Sequence, residues 1–73
     1  MSLIQAETAS IRWNPEKRSW TITIAIGEEV IKRSPGRPLP HDATDDKLRA
    51  CAVQTAQDEG YTVLSDEVSV DRG

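Results

Sequence analysis

Cysteine, histidine and phenylalanine are nearly missing from this chain: its 73 residues hold one Cys, one His and no Phe. A lone Cys51 excludes an internal disulfide. With His41 the only histidine, the three Cys/His-type ligands of a zinc site cannot be assembled. The four glycines stand apart at 27, 36, 60 and 73, so no phosphate-cradling G-x-x-x-x-G-K-[ST] loop exists. No G-x-S-x-G nucleophile elbow is present either. Paired carboxylates are plentiful, yet glycoside hydrolysis also needs a cleft that a chain this short rarely encloses. No enzyme activity, metal or cofactor is expected.

Long apolar runs are also lacking. Nothing approaches the roughly 18 consecutive apolar residues of a membrane span. The start, Met1-Ser2-Leu3-Ile4-Gln5, has no basic segment followed by an apolar core. A single cysteine suits a reducing compartment. A cytoplasmic location without membrane contact is the expectation.

Length sets a further bound. Residues 1–73 make one small domain, in which apolar burial and chain entropy nearly cancel. Small domains offset this with disulfides, a metal or a partner chain. With the first two excluded, self-association remains, and a homodimer or another protein partner is expected.

The net charge of −3 hides an asymmetry. Residues 1–41 carry six Lys/Arg (Arg12, Lys17, Arg18, Lys32, Arg33, Arg37) against four acids. Residues 42–73 carry eight acids against Lys47, Arg49 and Arg72. Such a dipole can steer a charged partner to one face.

What the chain does have is alternation. In Trp20-Thr21-Ile22-Thr23-Ile24-Ala25-Ile26, the large apolar residues share one face and the small ones the other. Ile11 and Trp13 alternate with Ser10, Arg12 and Asn14, and Asn14-Pro15-Glu16-Lys17 signals a turn. Placing Trp13 opposite Trp20 sets Ile11 opposite Ile22 and Ala9 opposite Ile24, with all apolar side chains on one face. Gly27-Glu28 fits a two-residue type II′ turn, which pairs Ile26 with Glu29, Ala25 with Val30 and Ile24 with Ile31. Arg33 then lies opposite Ile22 on the apolar face. Glu29 to Arg33 reads as an edge strand.

Three prolines in Ser34-Pro35-Gly36-Arg37-Pro38-Leu39-Pro40 make that stretch an extended connector. Thr44 then serves as N-cap, Asp45 and Asp46 complement the helix dipole, and Gly60 is a C′ stop. Leu48, Cys51, Ala52, Thr55 and Ala56 form a narrow stripe of small residues, so the helix should lie close to the sheet. Strand character resumes at Tyr61-Thr62-Val63-Leu64 and again at Val68-Ser69-Val70. The apolar parity shifts between Val63 and Val68, which predicts a bulge or short turn at Ser65-Asp66-Glu67. The fold class is α+β, a two-layer sandwich of an antiparallel sheet and one helix in the order β-β-β-α-β.

Several short stretches bear on partners. His41 sits beside Asp42, Asp45 and Asp46, but capping accounts for those acids. Cys51 lies mid-helix, away from the helix N-terminus and cations that activate a thiol, so it reads as a packed structural residue. Gly36-Arg37-Pro38 is similar to the core of the minor-groove AT-hook, although Pro35 stands where an arginine precedes the glycine. Arg37-Pro38-Leu39-Pro40 resembles a fragment of a proline-rich SH3 ligand that lacks its next proline. The β-β-β-α order is similar to that of the double-stranded-RNA-binding domain. That family's final helix opens on basic residues, where this one opens on Asp45-Asp46.

The expected function is therefore a small non-enzymatic interaction or accessory module that binds another macromolecule through a sheet edge. Val30, Lys32 and Arg33 on that edge, with Arg37 in the connector, are the expected contact residues. The alternative is a nucleic-acid binder using the basic face of the N-terminal hairpin and the segment Lys32 to Pro38.

Overall fold

Side-chain alternation places nearly every strand. The computed structural model describes residues 3–36 and 39–72. These form β1 (Ile4–Gln5), β2 (Thr8–Asn14), β3 (Ser19–Ile26), β4 (Glu29–Arg33), α1 (Asp45–Asp58), β5 (Tyr61–Thr62) and β6 (Val68–Asp71). The architecture is α+β: one helix against the face of a four-stranded sheet, order β4-β3-β2-β6, with a short two-stranded sheet of β1 and β5.

The β2–β3 register follows the alternation, with Trp13 opposite Trp20, Ile11 opposite Ile22 and Ala9 opposite Ile24. Asn14 sets the turn, since its Oδ1 accepts the backbone N–H of Glu16 at 3.0 Å and of Lys17 at 3.3 Å. The turn also forces Arg18 to φ +50°, where most side chains are strained. Gly27, at φ +59°, opens the β3–β4 turn, while Glu28 keeps a negative φ, as type II′ geometry requires. Ile26 pairs with Glu29, Ala25 with Val30, Ile24 with Ile31 and Ile22 with Arg33.

The sheet is mixed, which differs from the antiparallel arrangement that hairpin signals predict. β6 lies beside β2 in parallel, Ala9 facing Val68 and Ile11 facing Val70. β1, a strand outside those that the alternation marked, pairs in parallel with β5, Ile4 facing Tyr61. The cause is a shared bend. The chain bends at Glu7 between β1 and β2, and at a 3-10 turn of Ser65–Glu67 between β5 and β6. Ala6 and Ala9 are both buried, as are Val63 and Val68, so apolar parity shifts on both partners at one place. The turn expected at Ser65-Asp66-Glu67 is thus half of a matched pair.

Since β4 is antiparallel to β3, and β3 to β2, strands β4, β2 and β6 all run in one direction. The connection from β4 to the last strands must therefore cross the sheet from edge to edge, and α1 makes that crossing. Thr44 caps it, its Oγ1 accepting the Lys47 N–H at 3.3 Å, and Gly60 at φ +91° ends it. Leu48, Ala52 and Ala56 are buried, with Cys51 and Thr55 half-buried beside them. Facing them lie Trp20, Ile11, Ile22 and Ile24, which with Leu48 are the largest fully buried side chains. Each such burial stabilises the fold by about 1.5–3 kcal/mol. No helix among the described residues is long and apolar enough to cross a membrane.

Alanine at positions 52 and 56 sets the distance between helix and sheet. Ala52→Leu forces extra methylene groups into a filled interface and should cost about 1–3 kcal/mol, read from the urea unfolding midpoint. Ala50→Leu, on the exposed side of the same helix, should change stability by less than about 0.5 kcal/mol. Equal effects of the two variants would mean that the helix does not pack closely.

Candidate interaction surface

The sheet has one covered face and one open face, and register assigns each residue to a side. On the open face, Lys32, Thr23, Ser10 and Ser69 form a row across four strands. Val30, Ala25 and Thr8 form a second row, and Thr21, Arg12 and Asp71 a third. The face is polar and rich in hydroxyls. Arg12 and Asp71 approach to 3.7 Å there, but both side chains are largely exposed and the pair contributes little.

Near the β2–β3 turn this face dips into a depression of about 420 Å³. Arg12 beside Thr21 and Lys32 beside Thr23 line it from the open face, and residues of the β2–β3 turn, Asn14, Pro15 and Glu16, line it as well. Trp13 is only half-buried, although its parity matches the core isoleucines and its ring lies against Trp20 on the helix side.

The residues expected to make contacts are divided by the structure. Val30 and Lys32 lie on the open side of β4, opposite Ala25 and Thr23. Arg33 lies on the helix side, opposite Ile22. Its Nε donates to Glu59 Oε1 and its Nη1 to the Lys32 carbonyl at 2.9 Å. Glu59 caps the helix C-terminus, so Arg33 also brings positive charge to the negative end of the helix dipole. Arg37 lies outside the described residues. Of the basic residues expected in a nucleic-acid face, Arg12 and Lys32 share one surface and Arg33 belongs to the other.

Backbone polarity along β4 follows from its turn. A two-residue hairpin loop makes Ile26 and Glu29 a hydrogen-bonded pair, and alternation repeats this at Ile24–Ile31 and Ile22–Arg33. The Ala25 carbonyl, which accepts the Glu7 N–H at 2.9 Å on the β2 side, agrees with that phase. Hence the N–H and C=O groups of Val30 and Lys32 point away from the sheet. Val30 is 57% exposed. The Arg33 guanidinium covers part of this edge by bonding the Lys32 carbonyl, a form of edge protection.

The opposite edge is closed at one end by the segment that follows the proline connector. Arg72, just past β6, donates from Nη1 to the His41 carbonyl at 2.9 Å and from Nη2 to the Ala43 carbonyl at 2.8 Å. Its Nη2 also bonds Asp45. In return the Arg72 carbonyl accepts from His41 Nε2 at 2.9 Å, which requires the proton on Nε2. The His41 ring packs edge-on against Trp13 at 4.9 Å and stacks 6.2 Å from Trp20. His41 and Asp45 therefore serve the fold, a role that only the tertiary placement of Arg72 discloses. Among the described residues no cluster of three His, Cys, Asp or Glu side chains is placed to hold a metal ion.

No protein-family model, curated protein or solved structure matches the chain.

The Arg72 contacts yield a direct test. Arg72→Met keeps the aliphatic stem and removes all three donated bonds. Partial exposure of the arginine limits the effect, and a loss of about 1–2 kcal/mol is expected in urea unfolding. Tryptophan emission should shift to the red as the His41 segment loosens over Trp13 and Trp20. Unchanged stability and emission would show that the segment is held by other contacts.

Proposed function

We propose that the chain is a small non-enzymatic binding module that receives an extended segment of another macromolecule along the β4 edge. One observation carries this reading: Val30 and Lys32 direct backbone donors and acceptors outward on an exposed edge strand, whereas the β6 edge is partly covered by the segment that Arg72 binds. Strand addition would supply hydrogen bonds from the backbone, and the alternate side chains would supply selectivity. A cytoplasmic setting belongs to the same proposal, because a single cysteine fits a reducing compartment.

A displayed library of random heptapeptides provides the probe. Val30→Pro removes an outward donor that plays no part in the β3–β4 ladder, and proline is tolerated at such edge positions. Peptides selected on the native chain should bind this variant at least about tenfold more weakly, the equivalent of roughly 1.4 kcal/mol. They should also slow amide exchange at Val30 and Lys32. Equal affinity for both proteins would refute binding at this edge.

A second reading rests on the open-face depression, where Arg12 and Lys32 flank the hydroxyls of Thr21 and Thr23. Single-stranded nucleic acid would place phosphates between the two cations. Two neutralised phosphates predict a slope of log affinity against log salt of roughly −1.4, and Arg12→Ala should reduce it by about 0.7. Anisotropy of a labelled oligonucleotide measures this. A salt-independent signal, or none, removes the nucleic-acid reading.

A further inference from the structure

When the β4 sequence Glu29-Val30-Ile31-Lys32-Arg33 is reversed about Ile31, Glu29 falls opposite Arg33 and Ile31 opposite itself. We infer that the segment received by the β4 edge is β4 of a second copy of this chain, joined antiparallel across a twofold axis at Ile31. The inference rests on β4 being the binding edge and goes further by naming what occupies it.

Hydrogen-bond phase selects this register. Only Val30 and Lys32 present outward groups within β4, so any added strand must bond to those two residues. Centring the pair on Ile31 sets each Val30 opposite the partner's Lys32 as a hydrogen-bonded pair. Four backbone bonds result, two from each Val30–Lys32 pairing. The Ile31 residues then meet as the non-bonded pair at the axis. Glu29 faces the partner's Arg33 twice, so opposite charges lie across the seam. A register centred on Lys32 would instead oppose two ammonium groups. One centred on Val30 would draw the Glu28 turn residue into the ladder.

The contacts already made by the edge are compatible with this arrangement. A carbonyl has two lone pairs, so the Lys32 oxygen can accept from Arg33 Nη1 and from the partner's Val30 N–H together. Arg33 stays beside Glu59 while Glu29 of the partner approaches the same guanidinium. The axis stands perpendicular to the sheet. Both helices consequently lie on one side of an eight-stranded sheet, and the two polar faces join on the other. A five-residue seam is small among protein interfaces, so the dimer should dissociate on dilution.

Val30 gives a test with opposite signs, because its side chain is exposed and sits beside the partner's Lys32 only in the assembled pair. Val30→Lys should weaken association and Val30→Glu should strengthen it, each by roughly two- to thirtyfold since the contact occurs twice. Light scattering over a concentration series reads the mass, and circular dichroism verifies that both variants fold. A dimer that responds to the two variants in opposite directions supports the inference. A dimer indifferent to both places the interface elsewhere and overturns it. A monomer at millimolar concentration overturns it as well. In that case fast amide exchange at Val30 and Lys32 leaves the edge available to another partner, whereas slow exchange shows the edge closed within one chain and removes the strand-addition reading too.

Discussion

The indole N–H of Trp20 donates to the carbonyl of Pro40 at 3.1 Å, and most of the tertiary arrangement meets at that bond. Trp20 is the largest fully buried side chain. Burying it without a partner for its N–H would cost about 1–3 kcal/mol, so the proline connector has to run over the sheet at this point. Once it does, His41 lands against both tryptophans, Thr44 is placed to cap the helix, and the backbone carbonyls of His41 and Ala43 face Arg72. The Arg72 guanidinium stands 6.0 Å from the Trp20 ring centre, which adds a cation–π component. Connector, helix start and final strand are thereby fixed to the first hairpin through one side chain.

Periodicity made the local half of this architecture legible. Strands β2, β3 and β4 are joined by short turns, so one register satisfied both the apolar alternation and the turn chemistry of Asn14-Pro15 and Gly27-Glu28. The helix was equally plain, because Thr44, Asp45, Asp46 and Gly60 mark its ends by local physics. Parallel pairing was not legible. It joins residues at opposite ends of the chain, and no turn signal encodes a partner so remote. β1 is only two residues long, too short for any period to register.

The surface was legible in part. That β4 is an edge followed from its mixed character, but the expected contact residues were chosen by exposure and charge. Strand parity divides them, sending Val30 and Lys32 to one face and Arg33 to the other. Arg33 reads as an available cation in the sequence, and Arg72 only as one of three basic residues in the acidic half. In the fold one is paired with Glu59 and the other binds the carbonyls that follow the connector. An arginine's role in a chain this small depends on which acid or carbonyl the topology brings near it, and that information is tertiary.

The parallel pairing of β2 with β6 also governs the order in which the protein can be completed as it is made. The two hairpins of β2, β3 and β4 contain only local contacts and can assemble early. β2 nevertheless keeps a bare flank, since the strand that covers it ends at Asp71. Until Val68 to Asp71 leave the ribosome, Ala9 and Ile11 belong to an unfinished sheet whose edge can accept the wrong strand. The nascent chain is therefore most vulnerable to mispairing in the interval between the completion of β4 and the emergence of β6, and it closes its own sheet only when Val68 to Asp71 arrive.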